Sequence, residues 1–464
     1  MKTNRFILFF IGISTFAISS VESIRFAKER IAFGDAAFQL FTILRTEDLA
    51  IQVMRFGSAL TQGVPLLMSK LHLSLLNIMF SYSLSFESIS LVAFLIIILY
   101  FKNIELAIVL VLLKTLITTH TFFWVQSELL QGLVIIPLCI AWMKGKYITH
   151  FKNTQFVLLF VFVFTLAFFH PLIVFPFSFC IIYLLFFKSD GFDKRLLHLS
   201  LVLFFTISII KTMLIKNAYD SSAMAGLDNF KRYFPHYLNI PVNRQFLSLC
   251  LEEYYFIPIL LFFNSIILVS KKKWTPLFFA TLFLGVYFLI VQITDFNGGI
   301  FHFRIESFYI PLAFMLSFVF VLEASTSPSF QKIVIPLLCV SLVMFVIRIE
   351  KVSTIYSSQL HWNRTFLTEH MNEKLVVRTS DLPRDTLLLP WALPYQTWML
   401  STIENHKTVS IAVSDDPHSF DWTLWNSKAF ITAWGIFDYH QLASPYFQFK
   451  DDTIGYKHYD KLLR

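Results

Sequence analysis

The sequence predicts a mostly α fold: a polytopic membrane helix bundle of about 11 spans, followed by a small α/β domain outside the cytoplasm. Three observations predict it. The 464 residues are 56% hydrophobic and only 15% charged, with a mean hydropathy of +0.64, whereas soluble domains carry roughly 25% charge. Apolar runs of about 17 to 25 residues, the length that crosses a bilayer, recur as far as residue 349 and then stop. Lys and Arg gather in alternate connections between those runs.

The first run, "FILFFIGISTFAISSV", follows "MKTNR" in the manner of a signal peptide. No small-residue cleavage site is clear and more spans follow, so residues 6–21 read as a retained anchor. An outer loop with interface helices then occupies 22–83. Within it, "GVPLLMSKLHLSLLNIMFSY" (63–82) is apolar enough to be counted as a span. Counting it would invert every later loop, and Lys70, His72 and Asn77 interrupt it. It therefore reads as an amphipathic or re-entrant helix at the outer interface.

Further spans fall near 84–101, 103–120, 127–143, 155–170, 172–187, 196–216, 254–270, 276–293, 308–323 and 333–349. With the N-terminus in the cytoplasm, Lys2 and Arg5, Lys102, Lys144 with Lys146 and Lys152, Lys188 with Lys194 and Arg195, Lys271 to Lys273, and Lys332 all lie on that side. The opposite connections "THTFFWVQS" and "FFHPL" carry no Lys or Arg. This places a transmembrane domain over 1–350 in a cell inner membrane and an extracytoplasmic domain over 351–464. That second domain opens with an amphipathic helix from about Thr354 to Met371. "EKLVVR", "DTLLLPW", "TVSIAV" and "KAFITAW" read as short strands after it. Cys139, Cys180, Cys250 and Cys339 lie in or beside apolar runs and read as core residues. The net charge of +8 sits largely in short loops between spans, which argues against nucleic acid as a partner.

An ionisable residue at the edge of a span is costly and is by default a functional candidate. On the outer side these are Lys114 and His120, Glu128, His170, Lys211, Glu252 and Glu253, Asp295, His302, Arg304 and Glu306. Asp35, in "RIAFGDAAFQL", is a lone acid among Phe, Gly and Ala. Lys114 and Lys211 read equally well as snorkelling cations, and His170-Pro171 as a helix-ending turn. Glu252 and Glu253 read as a solvated interface. Polar groups confined to the outer half suit an outward-opening cavity. One base and several cations there suit transfer from a lipid-phosphate carrier: a carboxylate takes a proton from the attacking hydroxyl while Arg and Lys hold phosphate.

In layout, and in "FGDAAFQL", Ser127-Glu128, His170-Pro171 and "HFRIESFYIPL", residues 1 to 350 resemble the GT-C class of polyprenyl-phosphate-sugar-dependent glycosyltransferases. The resemblance implies an inverting membrane glycosyltransferase, with Asp35 as catalytic base and Arg304, with His302, on the lipid phosphate. Glu128 and His170 match positions near the class's acceptor or metal region; with Lys211, from the charge reading, they complete the expected substrate-binding set, and a lipid, glycan or protein is the acceptor. Many members carry two adjacent acids in the first outer loop. Here Ala36 follows Asp35, so a divalent metal (Mg2+ or Mn2+) stays open and none is assigned a ligand.

Other classes fit the same composition. An O-antigen polymerase or ligase would act through Lys231, Arg232, His236 and Arg244, and a non-catalytic scaffold would use none of these. A transporter or flippase would show internal repeats and broken helices, and the sequence shows neither. Trp391, Trp398, Trp422, Trp425 and Trp434 would stack on sugars or, more simply, fill a core. The sequon Asn363-Arg364-Thr365 falls in the outer domain.

Overall fold

A computed structural model describes residues 2–125, 128–144, 152–215, 225–294, 302–327, 330–424, 428–442, 445–449 and 454–459. Its first half contains α1 (Lys2–Arg25), α2 (Ala27–Ile31), α3 (Gly34–Thr46), α4 (Ala59–Lys70), α5 (Leu75–Leu95), α6 (Ile104–Thr115), α7 (Glu128–Lys144), α8 (Lys152–Ala167), α9 (Val174–Phe187) and α10 (Lys194–Leu214). The second half contains α11 (Asn229–Tyr233), α12 (Pro241–Glu252), α13 (Phe256–Ser270), α14 (Trp274–Thr294), α15 (His302–Ala324), α16 (Phe330–Glu369) and α17 (Leu393–Asn405).

Each expected span coincides with a helix, but fewer are built to cross. Among the described residues six are long and apolar enough: Phe6–Arg25, Leu75–Tyr100, Lys194–Leu214, Trp274–Thr294, Ile305–Ala324 and Phe330–Glu369. Counting α12 and α13, bent by 83° at their junction, as one broken span makes seven. The expected 11 is thus not confirmed. The physical reason is length: α6 has 12 residues, about 18 Å at 1.5 Å per residue, against a hydrocarbon core of about 30 Å.

Helix starts follow from side-chain caps. Ser74 accepts from the Asn77 amide at 3.3 Å and opens α5. Asn103 accepts from the Leu106 amide at 3.2 Å and opens α6. The Ser74 cap also splits the ambiguous stretch 63–82, so its first half ends α4 and its second half forms the first turns of a span beginning at Leu75.

Three of the lysines that the charge pattern assigns to one side, Lys188, Lys271 and Lys273, meet around one residue. Glu323, at the end of α15 and fully buried, is paired to Lys273 at 2.7 Å and Lys188 at 3.6 Å, and accepts from Tyr183 at 3.0 Å. Lys271 reaches the Glu323 carbonyl and, at 2.6 Å, the Thr326 hydroxyl. Lys144 lies 4.0 Å from Glu105 at the same end.

At the opposite end the chain builds one mixed core from remote segments. Residues of α2, α3, the start of α5, the end of α16 and the strand-containing region share a single apolar cluster. Phe41 is its hub, with ring centroids of Tyr395, Trp398, Phe430, Phe437 and Phe447 between 5.2 and 5.5 Å away. Helix α16 runs through residue 350 as one piece of 40 residues, so the expected separate helix from Thr354 is its second half.

The strands are short. A parallel sheet has the order β2-β1-β5, with β1 Lys374–Arg378, β2 Ile411–Ser414 and β5 Tyr456–His458, and β3 (Ala429–Thr432) pairs antiparallel with β4 (Gly435–Asp438). "DTLLLPW" is not a strand: Pro390, without an amide donor, opens a 3-10 turn that leads into α17. Trp398 is fully buried and donates to the Tyr446 carbonyl at 3.0 Å, so it is core. Trp434 is exposed, and the Trp422 and Trp425 side chains lie outside the described residues. Asn363 of the sequon is buried, its amide on Gln396 at 2.9 Å, which removes it as a glycan acceptor in this fold.

Candidate functional site

Asp35 sits in the first turn of α3, where the unsatisfied helix amides favour a negative charge. Gly34 precedes it at φ +49°, a left-handed conformation suited to glycine. A Cβ there would also meet the Leu389 side chain at 2.8 Å. The Asp35 carboxylate is half-buried and accepts from the Trp124 indole N–H at 3.3 Å. Burial pushes it above the ordinary 3.8, and the Trp124 hydrogen bond and the Arg55 charge pull it back.

Arg55 organises this end. It pairs with Glu128, the first residue of α7, at 3.3 Å, and both side chains are about nine-tenths buried. It lies within electrostatic reach of Asp35 and of His170. Its placement is set by local backbone. Val53 and Met54 both adopt positive φ, which costs about 1–3 kcal/mol each for non-glycine residues. The Gly57 amide then donates to the Phe168 carbonyl at 3.2 Å. A Cβ on Gly57 would meet the Phe169 ring at 2.1 Å, so only glycine lets this turn press against the α8–α9 connection.

His170 lies in that connection, outside both helices. Its Nδ1 accepts from the Leu172 amide at 3.2 Å, so the imidazole does open the next helical turn. Burial, followed by the Arg55 and Lys211 charges, pushes it well below its ordinary 6.5, so it is neutral. Lys211 donates to the Ala167 carbonyl at 3.0 Å, capping α8, and lies 4.9 Å from the Phe168 ring centre.

The structure therefore brings together four of the six expected site residues, Asp35, Glu128, His170 and Lys211, and supplies Arg55 and Trp124 beside them. Arg304 and His302 belong to the first turn of α15, and their side chains lie outside the described residues, as do Ser127 and Asp295. Lys231, Arg232, His236 and Arg244 are exposed on a separate segment. Glu306 is committed to structure, accepting from the Thr119, His120 and Thr121 amides at 2.6, 3.0 and 2.9 Å.

A second polar group lies beside the first. A cavity of about 70 Å³ is lined by Arg30, Glu87, Lys114 and Gln131, with Phe16 and Phe122 among its apolar walls. Glu87 is buried between Arg30 (3.1 Å) and Lys114 (2.7 Å), so Lys114 is an ion-pair partner and does not snorkel. Arg30 Nε and Nη1 and both amide atoms of Gln131 are buried without a hydrogen-bond partner. A cavity with two cations, one acid and unspent donors is set to receive an anionic group. Val125, which lines the same space, is next in sequence to Trp124, the hydrogen-bond partner of Asp35.

The donor set around Asp35 does not fit a divalent metal. Asp35 is directed at an indole N–H, Glu128 at a guanidinium, and Arg55 would repel the ion. Among the described residues, three ligating atoms converge only at His418, Asp421 and His458.

Arg55, Trp124, Arg30, Glu87 and Gln131 were not signalled by the sequence reading. Two signals were present: Arg55 is the only cation between Arg45 and Lys70, in apolar "VMRFG", and Glu87 is an acid inside a run counted as a span. No known family, curated protein or solved structure matches the chain.

Proposed function

We propose that this protein is a membrane glycosyltransferase that moves a sugar from a polyprenyl-phosphate donor to a lipid, glycan or protein acceptor on the extracytoplasmic face. The observation that carries the reading is the gathering of Asp35, Glu128 and His170, from three remote parts of the chain, around Arg55.

In this reading the acceptor hydroxyl attacks the anomeric carbon as Asp35 takes its proton. The bond from that carbon to the phosphate oxygen breaks, and polyprenyl phosphate leaves with the electron pair. Attack from the face opposite the phosphate inverts the anomeric centre. A carboxylate raised toward neutrality by burial is a better base than an exposed one. Trp124 fixes its orientation, and Arg55 holds the leaving phosphate, the role that the resemblance gives to Arg304 and His302. The Arg30–Lys114 cavity takes an anionic lipid group.

The test is transfer from a radiolabelled polyprenyl-phosphate sugar in membranes carrying wild type or Asp35→Asn. Loss of a general base lowers turnover by about 100- to 10,000-fold. Transfer by Asp35→Asn at the wild-type rate would refute the assignment.

A further inference from the structure

We propose that His418, Asp421 and His458 form a binding site for a divalent transition metal of the zinc type, one that fastens the last strand to the 417–424 turn. The site lies in the strand-containing region and uses no residue of the Asp35 cluster.

Its geometry comes from two segments remote in sequence. His418 and Asp421 occupy the 3-10 helix Pro417–Leu424, and their i,i+3 spacing places them on one face at three residues per turn. His458 ends β5, where it pairs in parallel register with Val376 of β1. His418 Nδ1 lies 3.3 Å from Asp421 Oδ2, and His458 Nε2 lies 2.7 Å from Asp421 Oδ1. The three ligand atoms all fall within 4.8 Å of one another, and the two imidazole centres are 5.1 Å apart.

Those separations suit a shared ion. Zinc bonds of about 2.0–2.1 Å in a tetrahedron set ligand atoms about 3.3 Å apart. Two imidazoles and one carboxylate make a three-ligand set with an open fourth position, and imidazole selects Zn2+, Co2+ or Ni2+ over Mg2+ and Ca2+. All three residues are exposed, so an ion reaches them without any rearrangement of the core.

The consequence is mechanical. β5 is three residues long, lies at the edge of its sheet and pairs with β1. An ion shared by His458 and the 417–424 turn adds an anchor to an element that two to three ladder contacts hold weakly.

Full-length protein in detergent, free of any histidine tag, is titrated with Co2+ and then Zn2+. The proposal expects one saturable Co2+ per chain with the visible absorption of a tetrahedral site, displaced by Zn2+. Protection of the C-terminus from proteolysis should rise in parallel. Asp421→Ala and His458→Ala should each weaken binding by more than about tenfold. Saturating Co2+ that gives no tetrahedral spectrum in the wild type would overturn it, and so would equal affinity in a His418→Ala/His458→Ala variant of native circular dichroism. The wild-type spectrum decides without any variant, and none of these readouts depends on glycosyl transfer.

Discussion

The two ends of the helix bundle treat buried charge differently. At the lysine-rich end, Glu323 is surrounded by Lys188, Lys273 and Tyr183, and no described buried side-chain atom of that group lacks a partner. At the other end, Asp35 and Glu128 share Arg55, while Arg30 and Gln131 keep buried donors unspent beside a cavity. A saturated ion network ties loops together. An unsaturated one carries a desolvation cost that packing does not recover, and such a cost is characteristic of groups that meet a ligand.

Substitutions sharpen this contrast. Arg55→Ala has the largest expected effect, because it strands Glu128 as an uncompensated buried carboxylate. A broken buried pair costs about 3–5 kcal/mol, so the thermal midpoint should fall together with transfer activity. Gly57→Ala comes next: its Cβ at 2.1 Å from the Phe169 ring forces the Arg55 turn outward. Overpacking of this kind costs about 1–3 kcal/mol, and transfer should fall by more than the loss of folded protein explains.

Gln131→Ala removes two unpartnered amide atoms and leaves every ion pair intact. Its thermal midpoint should be unchanged while KM for the lipid-phosphate donor rises. An unchanged KM would separate the cavity from the site.

Trp124→Phe is the smallest and most specific change. The indole N–H stabilises the ionised Asp35, so its removal raises the carboxyl pKa further. Activity requires the carboxylate and is lost as pH falls through that pKa. The acidic limb of kcat/KM, already above the ordinary 3.8 in wild type, should therefore move to higher pH.

What was legible in the sequence follows from the same physics. The bundle, its lysine-rich end and the isolated acids were readable because bilayers penalise charge position by position. Asp35, Glu128 and His170 stand out for that reason. Their common partner did not, since Arg55 lies 73 residues from Glu128 and only folding brings them together. The number of spans was not legible, because hydropathy reports apolar content, whereas Asn103 and the turn after Thr115 fix the length of α6. In the strand-containing region, "LPYQTWMLSTIEN", which lies outside every element expected from the sequence, contains aromatic and β-branched residues, yet its burial among Phe41, Phe430 and Phe447 makes it α17. Tertiary packing overrode propensity there.

The most direct test measures Asp35→Asn and Glu323→Gln side by side, for thermal stability and for sugar transfer from polyprenyl phosphate per folded molecule. The account predicts opposite outcomes: Asp35→Asn keeps its stability and loses transfer, and Glu323→Gln loses stability and keeps transfer. Full transfer by Asp35→Asn would contradict it, leaving Asp35 a loop acid and the bundle without its proposed chemistry.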